Sequence, residues 1–265
     1  MTHRILPLEG VLNFRDYGGY PTAGGHVLRR GRLYRSAHHG RATDADLAAM
    51  AELELAVIVD LRRPNERRRE PSRRPHGFAG QVIESDLGDV DDDPWWSFVR
   101  QSDLSEDAFR SYLMDYYRKA PFEPRHIDLY ARYFQVLGEA EGAVLIHCAA
   151  GKDRTGLLAA LTHHLTGVSR ADLIADYLLT NEAISFDQRM PLMIQAISEG
   201  SGREPSPAAV RVAMGVDEAY LLQALAAIEA AHGDLDAYLE TVLGVDADLR
   251  ARITTRLVGS EPASS

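Results

Sequence analysis

Two almost continuous apolar runs stand out in the hydrophobic pattern of the chain. Residues 55–61 (LAVIVDL) and 143–147 (AVLIH) show no alternation of apolar and polar positions, which is typical of strands buried in a parallel sheet. A shorter apolar run at 81–84 predicts a third strand. Residues 13–35 hold many glycines and turn formers around short apolar stretches, so this segment predicts short strands joined by tight turns.

Polar residues that flank the apolar patterns predict where helices begin. Thr43 predicts the N-cap of a helix over 44–54, with Asp46 in the capping-box position. Ser169 predicts the start of a helix over 170–180 in the same way. Because predicted strands alternate with predicted helices, we expect an α/β fold with a parallel-type central sheet flanked by helices.

Helical patterns also fill two long segments in which no strand is predicted. We expect a single domain over residues 1–258, with 91–125 as a helical insertion that acts as a lid and 208–258 as a helical C-terminal part. Residues 198–207 (SEGSGREPSP) form the best candidate for a linker. Residues 259–265 are expected to be a disordered tail.

Composition and charge narrow the classes of function. The chain has 265 residues, 45% of them hydrophobic, and a formal net charge of −10, which argues against nucleic-acid binding. The N-terminal residues lack the apolar core of a signal peptide, and no apolar run reaches the roughly 18 residues of a spanning helix. We therefore expect a cytoplasmic protein without stable membrane insertion. The sequence leaves open both export by a route that needs no signal peptide and the oligomeric state.

The only cysteine begins a loop with the composition of an anion site. Residues 148–155 join the strand at 143–147 to an apolar helix, at the sheet edge where α/β proteins bind ligands. The start of that helix directs backbone N–H groups and a positive dipole end at one point. The small side chains let the backbone surround a phosphate, and the fork of Arg154 suits two phosphate oxygens. The expected phosphate-binding residues are Ala149, Ala150, Gly151, Lys152 and Arg154.

The same loop predicts nucleophilic catalysis by Cys148. Neighbouring N–H donors favour the thiolate, which can attack a bound phosphate monoester in line and form a phosphocysteine. Thr155 is expected to hydrogen-bond the sulfur or assist its departure, and His147 to support the loop. The spacing C-x5-R is weak evidence alone, but a strand before it and a helix after it strengthen the prediction. The alternative is that Cys148 is an inert core residue.

The motif HCAAGKDRTG resembles the signature of cysteine-dependent protein tyrosine and dual-specificity phosphatases, in particular the bacterial branch that carries HC-x-AGKDRTG. The segments NFRDYGGY, LYRSA, VDLRRPNER and ADYLLTNE also resemble that branch, so the likeness covers residues 13–243. It implies that Cys148 is the nucleophile, that Arg154 binds the phosphoryl group and that the fold is a parallel sheet flanked by helices. It also implies that residues 13–19 and 60–66 support the loop, with an ion pair between Arg62 and Glu66.

Three aspartates are candidates for the general acid that protonates the leaving group. Asp153 lies inside the loop, and an Asp-Arg pair at this place also occurs in the lipid phosphatases that are similar to myotubularin, so Asp153 is preferred. Asp89 and Asp86 belong to the acidic loop 84–93, which resembles in its placement the mobile acid loop of many tyrosine phosphatases. The alternative for that loop is a solvated turn.

Substrate class is less determined than reaction class. We expect a protein-tyrosine phosphatase without metal or other cofactor, because no cysteine or carboxylate lies at ligand spacing around the paired histidines 38–39 and 163–164. Lys152 leaves open a phosphoinositide or dual-specificity phosphatase, since it adds charge to the loop. An inactive module that binds phosphorylated partners is a remote alternative. The arginine-rich segment 62–74 either attracts anionic partners or is a solvated helix or loop. The aromatic residues of 94–117 either contact the ring of the substrate or belong to the core.

Overall fold

The computed structural model describes residues 4–91 and 93–259, and its centre is a five-stranded sheet. The strand order is β1-β3-β6-β4-β5, in which only the edge strand β1 runs antiparallel to its neighbour. A separate antiparallel pair joins β2 to β7 near the chain ends. The strands are β1 Arg15–Asp16, β2 Val27–Leu28, β3 Leu33–Ser36, β4 Leu55–Asp60, β5 Gln81–Ile83, β6 Ala143–His147 and β7 Val258–Gly259.

Helices cover both faces of the sheet and make up most of the chain after β6, so the predicted α/β class is confirmed. Within the described ranges the helices are α1 Asp44–Ala51, α2 Pro64–Arg69, α3 Pro94–Gln101, α4 Glu106–Lys119, a 3-10 turn Ala120–Phe122, α5 Pro124–Leu137, α6 Asp153–Leu165, α7 Arg170–Leu178, α8 Thr180–Ala183, α9 Phe186–Ser201, α10 Pro207–Met214, α11 Glu218–His232, α12 Leu235–Thr241 and α13 Ala247–Leu257. None of these helices is long and apolar enough to cross a membrane.

Local patterns predicted several of these elements correctly. Thr43 caps α1 in a complete capping box with Asp46, and the Ser169 hydroxyl caps α7. The predicted linker is partly wrong, because α9 continues to Ser201 and leaves only residues 202–206 between the two helices. The predicted tail falls mostly outside the described residues, and Gly259 belongs to β7.

Among the described residues, the apolar side chains form one main core and two smaller clusters: one between the N-terminal segment, α1 and the sheet, and a satellite cluster around α3. The main core joins the sheet to α4, α5, α6, α7 and the C-terminal helices, whereas the satellite cluster joins α3, α9 and α10. Helix α4 belongs to both, since Phe109 lies in the satellite cluster while Leu113 and Tyr117 lie in the main core. Moving α4 would therefore open the main core, and the lid over 91–125 stays a prediction.

Candidate active site

The loop after β6 is held by its carbonyl groups. The backbone N–H of His38 donates to the Ala149 carbonyl at 3.2 Å. The Asn13 amide donates to the carbonyls of Ala150 and Gly151 at 3.2 and 2.9 Å, and the Arg35 guanidinium reaches the Gly151 carbonyl at 3.0 Å. Three consecutive carbonyls therefore face the scaffold, which confirms that the segment around Asn13 supports the loop.

The opposite side of the loop presents backbone donors. Within the described part of the chain, no hydrogen bond engages the backbone N–H groups of residues 150–154. The first two residues of α6, Asp153 and Arg154, are among them, and helix N-terminal N–H groups have no partner within their own helix. Because buried or half-buried N–H groups require acceptors, this side of the loop is suited to an anion.

Gly151 is required by the close approach of the loop to the sheet. Its φ is +68°, a region that residues with side chains rarely adopt. A Cβ at this position would also lie 2.4 Å from the backbone of Ser36 at the end of β3. The glycine thus allows the loop to contact β3, where Arg35 can bind it.

A buried ionic cluster lies beneath this support. Asp176 of α7 accepts from Arg15 at 3.2 Å and from Arg35 at 2.7 Å, and all three side chains are at most 1% exposed. Burial alone would raise the pKa of Asp176, but the two guanidinium groups outweigh it and hold this pKa well below its usual range. Arg15 also bonds the Asn13 amide, so Asp176 organises both side chains that contact the loop.

Cys148 lies at the base of the loop and is only 2% exposed. It follows β6 directly, and β6 is the central strand of the five. Tyr130 of α5 approaches the same place, where its hydroxyl donates to the Arg154 carbonyl at 2.9 Å. The Cys148 side chain therefore has very little contact with solvent in this structure.

The Arg154 guanidinium pairs with Glu66 of α2. Two nitrogens of Arg154 donate to the two carboxylate oxygens of Glu66, at 2.5 and 2.8 Å, and one also donates to the Leu61 carbonyl at 3.2 Å. Burial opposes the charge of Glu66, but Arg154 outweighs burial and lowers the pKa of Glu66 to about 2. The pair fixes the plane of the guanidinium and leaves its remaining N–H groups to other acceptors.

The predicted ion pair between Arg62 and Glu66 is wrong. Arg62 instead forms an ion pair with Asp60 at the end of β4, with its nitrogens 2.7 to 3.2 Å from the carboxylate oxygens. It also donates to the Ser72 hydroxyl. The strand directs Asp60 and Arg62 into the same buried region, whereas α2 turns Glu66 toward the loop. Spacing within one segment could not distinguish these partners.

His147 is buried on the sheet side of Cys148. Its Nε2 is 3.6 Å from an Asp60 oxygen, and its ring lies 4.3 Å from the ring of His39. Burial is the main reason that the pKa of His147 falls to about 4, so the ring is neutral near pH 7. These contacts agree with a supporting role, which stays a prediction.

The three acid candidates occupy different environments. Asp153 is the first residue of α6, and its side chain is 20% exposed beside the loop. Tyr117 of α4 donates to its Oδ1 at 2.8 Å. Asp86 is 91% exposed and pairs with Arg67, and Asp89 pairs with Arg68 at 2.9 Å. Both residues of the acidic loop are thus engaged by the arginines of α2.

Lys152 and Thr155 lie differently from the sequence-based expectation. The buried Lys152 ammonium donates to the carbonyls of Ala213 and Gly215 at 2.7 and 3.2 Å, at the C-terminal end of α10. The Thr155 hydroxyl is buried, and among the described residues it has no hydrogen-bond partner, the Cys148 sulfur included. The Lys152 side chain thus binds the end of α10, the Thr155 hydroxyl does not contact the sulfur, and phosphate binding by Lys152 stays a prediction.

The arginine-rich segment is largely neutralised by local partners. Arg67 bonds the Ser85 carbonyl as well as Asp86, and Arg73 pairs with Asp44 at 2.6 Å. With Arg62 and Arg68 also paired, the segment serves mainly to tie α2 and the following loop to the sheet. Among the described residues, no group of three or more His, Cys, Asp or Glu side chains is placed to hold a metal ion.

Comparison with known proteins identifies the family. The sequence profile of the tyrosine phosphatase family matches residues 6–259. The chain belongs to the tyrosine phosphatase family. It is 34% identical over 246 residues to a Cupriavidus necator protein provisionally named a tyrosine-protein phosphatase, across 91% of this chain and 85% of that protein. Family membership makes this chain a phosphatase, and it confirms the resemblance inferred from the loop motif.

A second relative and one solved structure are also similar to this chain. The triple specificity protein phosphatase PtpB of Mycobacterium tuberculosis is 32% identical over 262 residues, across 89% of this chain and 92% of that protein. The crystal structure of P. aeruginosa TpbA aligns with 78% of this chain and 97% of its own, at 17% identity and a TM-score of 0.32.

Several residues of the site were not predicted individually from the sequence. Asn13, Arg35 and Asp176 lie inside motifs that resemble the family, but their roles depend on contacts across more than 100 positions of the chain. Tyr117 was considered only as a contact to the substrate ring or as a core residue, and its spacing gave no sign of the hydrogen bond to Asp153. Glu66 was singled out, but with the wrong partner.

The low pKa of Glu66 predicts a measurable pH dependence of stability. Its ordinary pKa is 4.5, and the folded value is about 2, so the stabilisation is complete above pH 4.5 and is lost as pH falls toward 2. The free energy of unfolding of wild type should therefore exceed that of Glu66→Gln by a margin that decreases by about 2 kcal/mol when the pH is lowered from 7 to 3. Urea denaturation at several pH values measures it.

The matched control for that measurement is Glu84→Gln. Glu84 is 47% exposed and lies 3.6 Å from Arg67, so its removal should change stability little at any pH. If wild type and Glu66→Gln lose stability in parallel down to pH 3, Glu66 is not held ionised by Arg154.

Proposed function

We propose that this phosphatase hydrolyses phosphotyrosine in proteins through a phosphocysteine on Cys148. The observation that carries the proposal is the orientation of the loop. Its carbonyls at residues 149–151 are bound by the scaffold, and its N–H groups on the other side have no partner within the described residues. Together with the Arg154 guanidinium, these donors suit the three terminal oxygens of a phosphate monoester.

In the first step the Cys148 thiolate attacks phosphorus. An S–P bond forms while the bond between phosphorus and the tyrosine oxygen breaks, and the electron pair of that bond goes to the leaving oxygen. The loop N–H groups and Arg154 stabilise the charge on the equatorial oxygens during the transfer. Glu66 holds the guanidinium plane in place, so Arg154 is already oriented before substrate binds.

Asp153 supplies the proton that the leaving oxygen needs. It lies one residue from Arg154 at the mouth of the loop, and its side chain is partly exposed. In the second step its carboxylate accepts a proton from the water that attacks the phosphocysteine, which releases inorganic phosphate and restores the thiolate. Asp86 and Asp89 are weaker candidates, because each already pairs with an arginine at the protein surface.

Phosphoinositide or dual-specificity hydrolysis is the alternative within the same chemistry. One similar protein is named a triple specificity phosphatase, which supports a broad substrate range. The Lys152 ammonium does not favour a second phosphate contact, because it already donates to two backbone carbonyls. A binding module without turnover is disfavoured because Cys148, Arg154 and Asp153 are all present.

A cover over the site is best assigned to α3. Trp95 and Phe98 of α3 lie 5.7 and 4.3 Å from the Tyr112 ring of α4. Burial, followed by the charges of Asp93 and Asp153, raises the pKa of Tyr112 to about 12. We infer that the aromatics of α3, together with Tyr112, contact the ring of a phosphotyrosine.

The first test of the proposed function is turnover by Cys148→Ser. We expect kcat for p-nitrophenyl phosphate to fall roughly 10⁴-fold or more, the scale on which covalent enzymes lose activity with their nucleophile. Wild type should hydrolyse a phosphotyrosine peptide with a higher kcat/KM than a phosphoserine peptide or a phosphoinositide, assayed side by side. Retained turnover in Cys148→Ser would refute the phosphocysteine. A preference for the phosphoinositide would establish the alternative.

The second test identifies the general acid. Asp153→Asn should lower kcat/KM for phenyl phosphate, a poor leaving group, by about 10² to 10⁴-fold, and that for p-nitrophenyl phosphate far less. Asp86→Asn and Asp89→Asn are matched controls, and both should leave the ratio of the two substrates unchanged. If one of the controls changes the ratio and Asp153→Asn does not, the acid lies on the acidic loop.

The third test uses Cys148 as the only cysteine of the chain. The double variant Trp95→Ala with Phe98→Ala should increase the rate of alkylation of Cys148 by iodoacetamide, because it weakens the contact of α3 with Tyr112. Phe122→Ala, which removes a partly buried aromatic packed against Tyr238 instead, is the control and should not change the rate. Unchanged alkylation in the double variant would exclude α3 as the cover.

A further inference from the structure

A pair of buried phenols ends at the proposed general acid. Tyr117 of α4 and Tyr177 of α7 are both about 1% exposed or less, and their hydroxyl oxygens are 2.7 Å apart. The Tyr117 hydroxyl also donates to Asp153 Oδ1 at 2.8 Å. This chain of hydrogen bonds joins two core helices to the carboxyl group at the mouth of the loop.

We propose that Tyr117 is a positioning residue for Asp153, which binds Oδ1 and thereby presents Oδ2 to the leaving group. The proposal rests on the proposed function, since it assumes that Asp153 is the general acid. It adds a residue from outside the loop motif to the machinery of the first step.

The directions of the hydrogen bonds determine which oxygen carries the proton. Because Tyr117 donates its only proton to Oδ1, it can accept one from Tyr177, which therefore acts as the donor of that bond. Oδ1 accepts from Tyr117, so the transferable proton of the neutral acid lies on Oδ2. When this proton moves to the leaving oxygen, negative charge develops on the carboxylate, and the bond from Tyr117 becomes a stronger, charge-assisted one.

The phenol stays a donor at any pH at which the protein works. Burial, and next the charge of Asp153, raise the pKa of Tyr117 well above 10. Lys152 lies on the other side of the carboxyl group, with its Nζ 3.7 Å from Oδ2. Asp153 is thus restrained on one oxygen by a short hydrogen bond and on the other only by a distant ammonium.

The two tyrosine rings are themselves fixed by packing. Tyr220 of α11 stacks on Tyr117 with ring centroids 5.8 Å apart and an interplanar angle of 28°. Tyr177 packs on Gly156 of α6, where a Cβ would lie 2.8 Å from the ring. Since Gly156 follows Thr155 in the loop motif, the absence of a side chain there admits the ring that supports Tyr117.

The fold contains a natural control for the loss of a buried phenol. Tyr17 and Tyr133 form a second pair, with hydroxyl oxygens 2.9 Å apart, and Tyr133 also lies 2.9 Å from the Thr162 hydroxyl. Tyr133 is as buried as Tyr117 and has as many hydrogen bonds, but it has no contact with Asp153. Tyr133→Phe therefore reproduces the structural cost of Tyr117→Phe without the expected effect on proton transfer.

The experiment compares two leaving groups in three variants. Tyr117→Phe should lower kcat/KM for phenyl phosphate roughly 10-fold, the size of one hydrogen bond to a charged group, and should change that for p-nitrophenyl phosphate little. Tyr177→Phe should show a smaller effect of the same kind, and Tyr133→Phe should leave the ratio of the two substrates at the wild-type value. Thermal unfolding of each variant verifies that it is folded. If Tyr117→Phe does not fold, the comparison is made with Tyr177→Phe instead.

A double variant separates this proposal from the proposed function. In an Asp153→Asn background, Tyr117→Phe should have no further effect on the ratio, because the two residues act through one proton. If Asp153→Asn alone changes the ratio and Tyr117→Phe slows both substrates equally, Tyr117 is only structural and the proposal is overturned. If Asp153→Asn itself leaves the ratio unchanged, the assigned acid is wrong and the role of Tyr117 is refuted with it.

Discussion

The ionic contact of Asp176 with Arg15 and Arg35 is the constraint on which the site depends. A single buried carboxylate neutralises two buried guanidinium groups, which would otherwise repel each other. These arginines then reach the loop, Arg35 directly and Arg15 through the Asn13 amide. The loop carbonyls turn toward them, and the loop N–H groups turn the other way. The anion site on one side of the loop therefore depends on the neutralised arginines that bind the loop carbonyls on the other side.

A similar arrangement occurs at Arg154 and Asp153, the residues to which we assign phosphate binding and the general acid. Arg154 is held from behind by Glu66, and Asp153 is held from the side by Tyr117. In each case one partner binds part of the functional group and leaves the rest for substrate. The partners come from α2 and α4, so helices far apart in sequence meet at residues 153 and 154. Such pre-organisation reduces the entropy that binding would otherwise cost.

Local features of the sequence were sufficient for much of the fold. The capping residues Thr43 and Ser169 mark α1 and α7 because a cap acts within one helical turn. The apolar runs mark β4 and β6 because a strand buried on both faces is almost entirely apolar, with a polar residue only at its end. The prediction of an ion pair between Arg62 and Glu66 failed because local sequence does not show how elements pack. Their actual partners, Asp60 and Arg154, are determined by the positions of β4, α2 and α6.

The loop motif alone thus identified the chemistry, since a cysteine, small residues and an arginine between a strand and a helix define an anion site by their order. The environment of each side chain followed only from the folded chain. Lys152, which its sequence position directs toward phosphate, instead binds the end of α10, and Tyr117 meets Asp153 across 36 positions. A sequence pattern reports neighbours within a few residues, whereas hydrogen bonds form between groups that packing brings together.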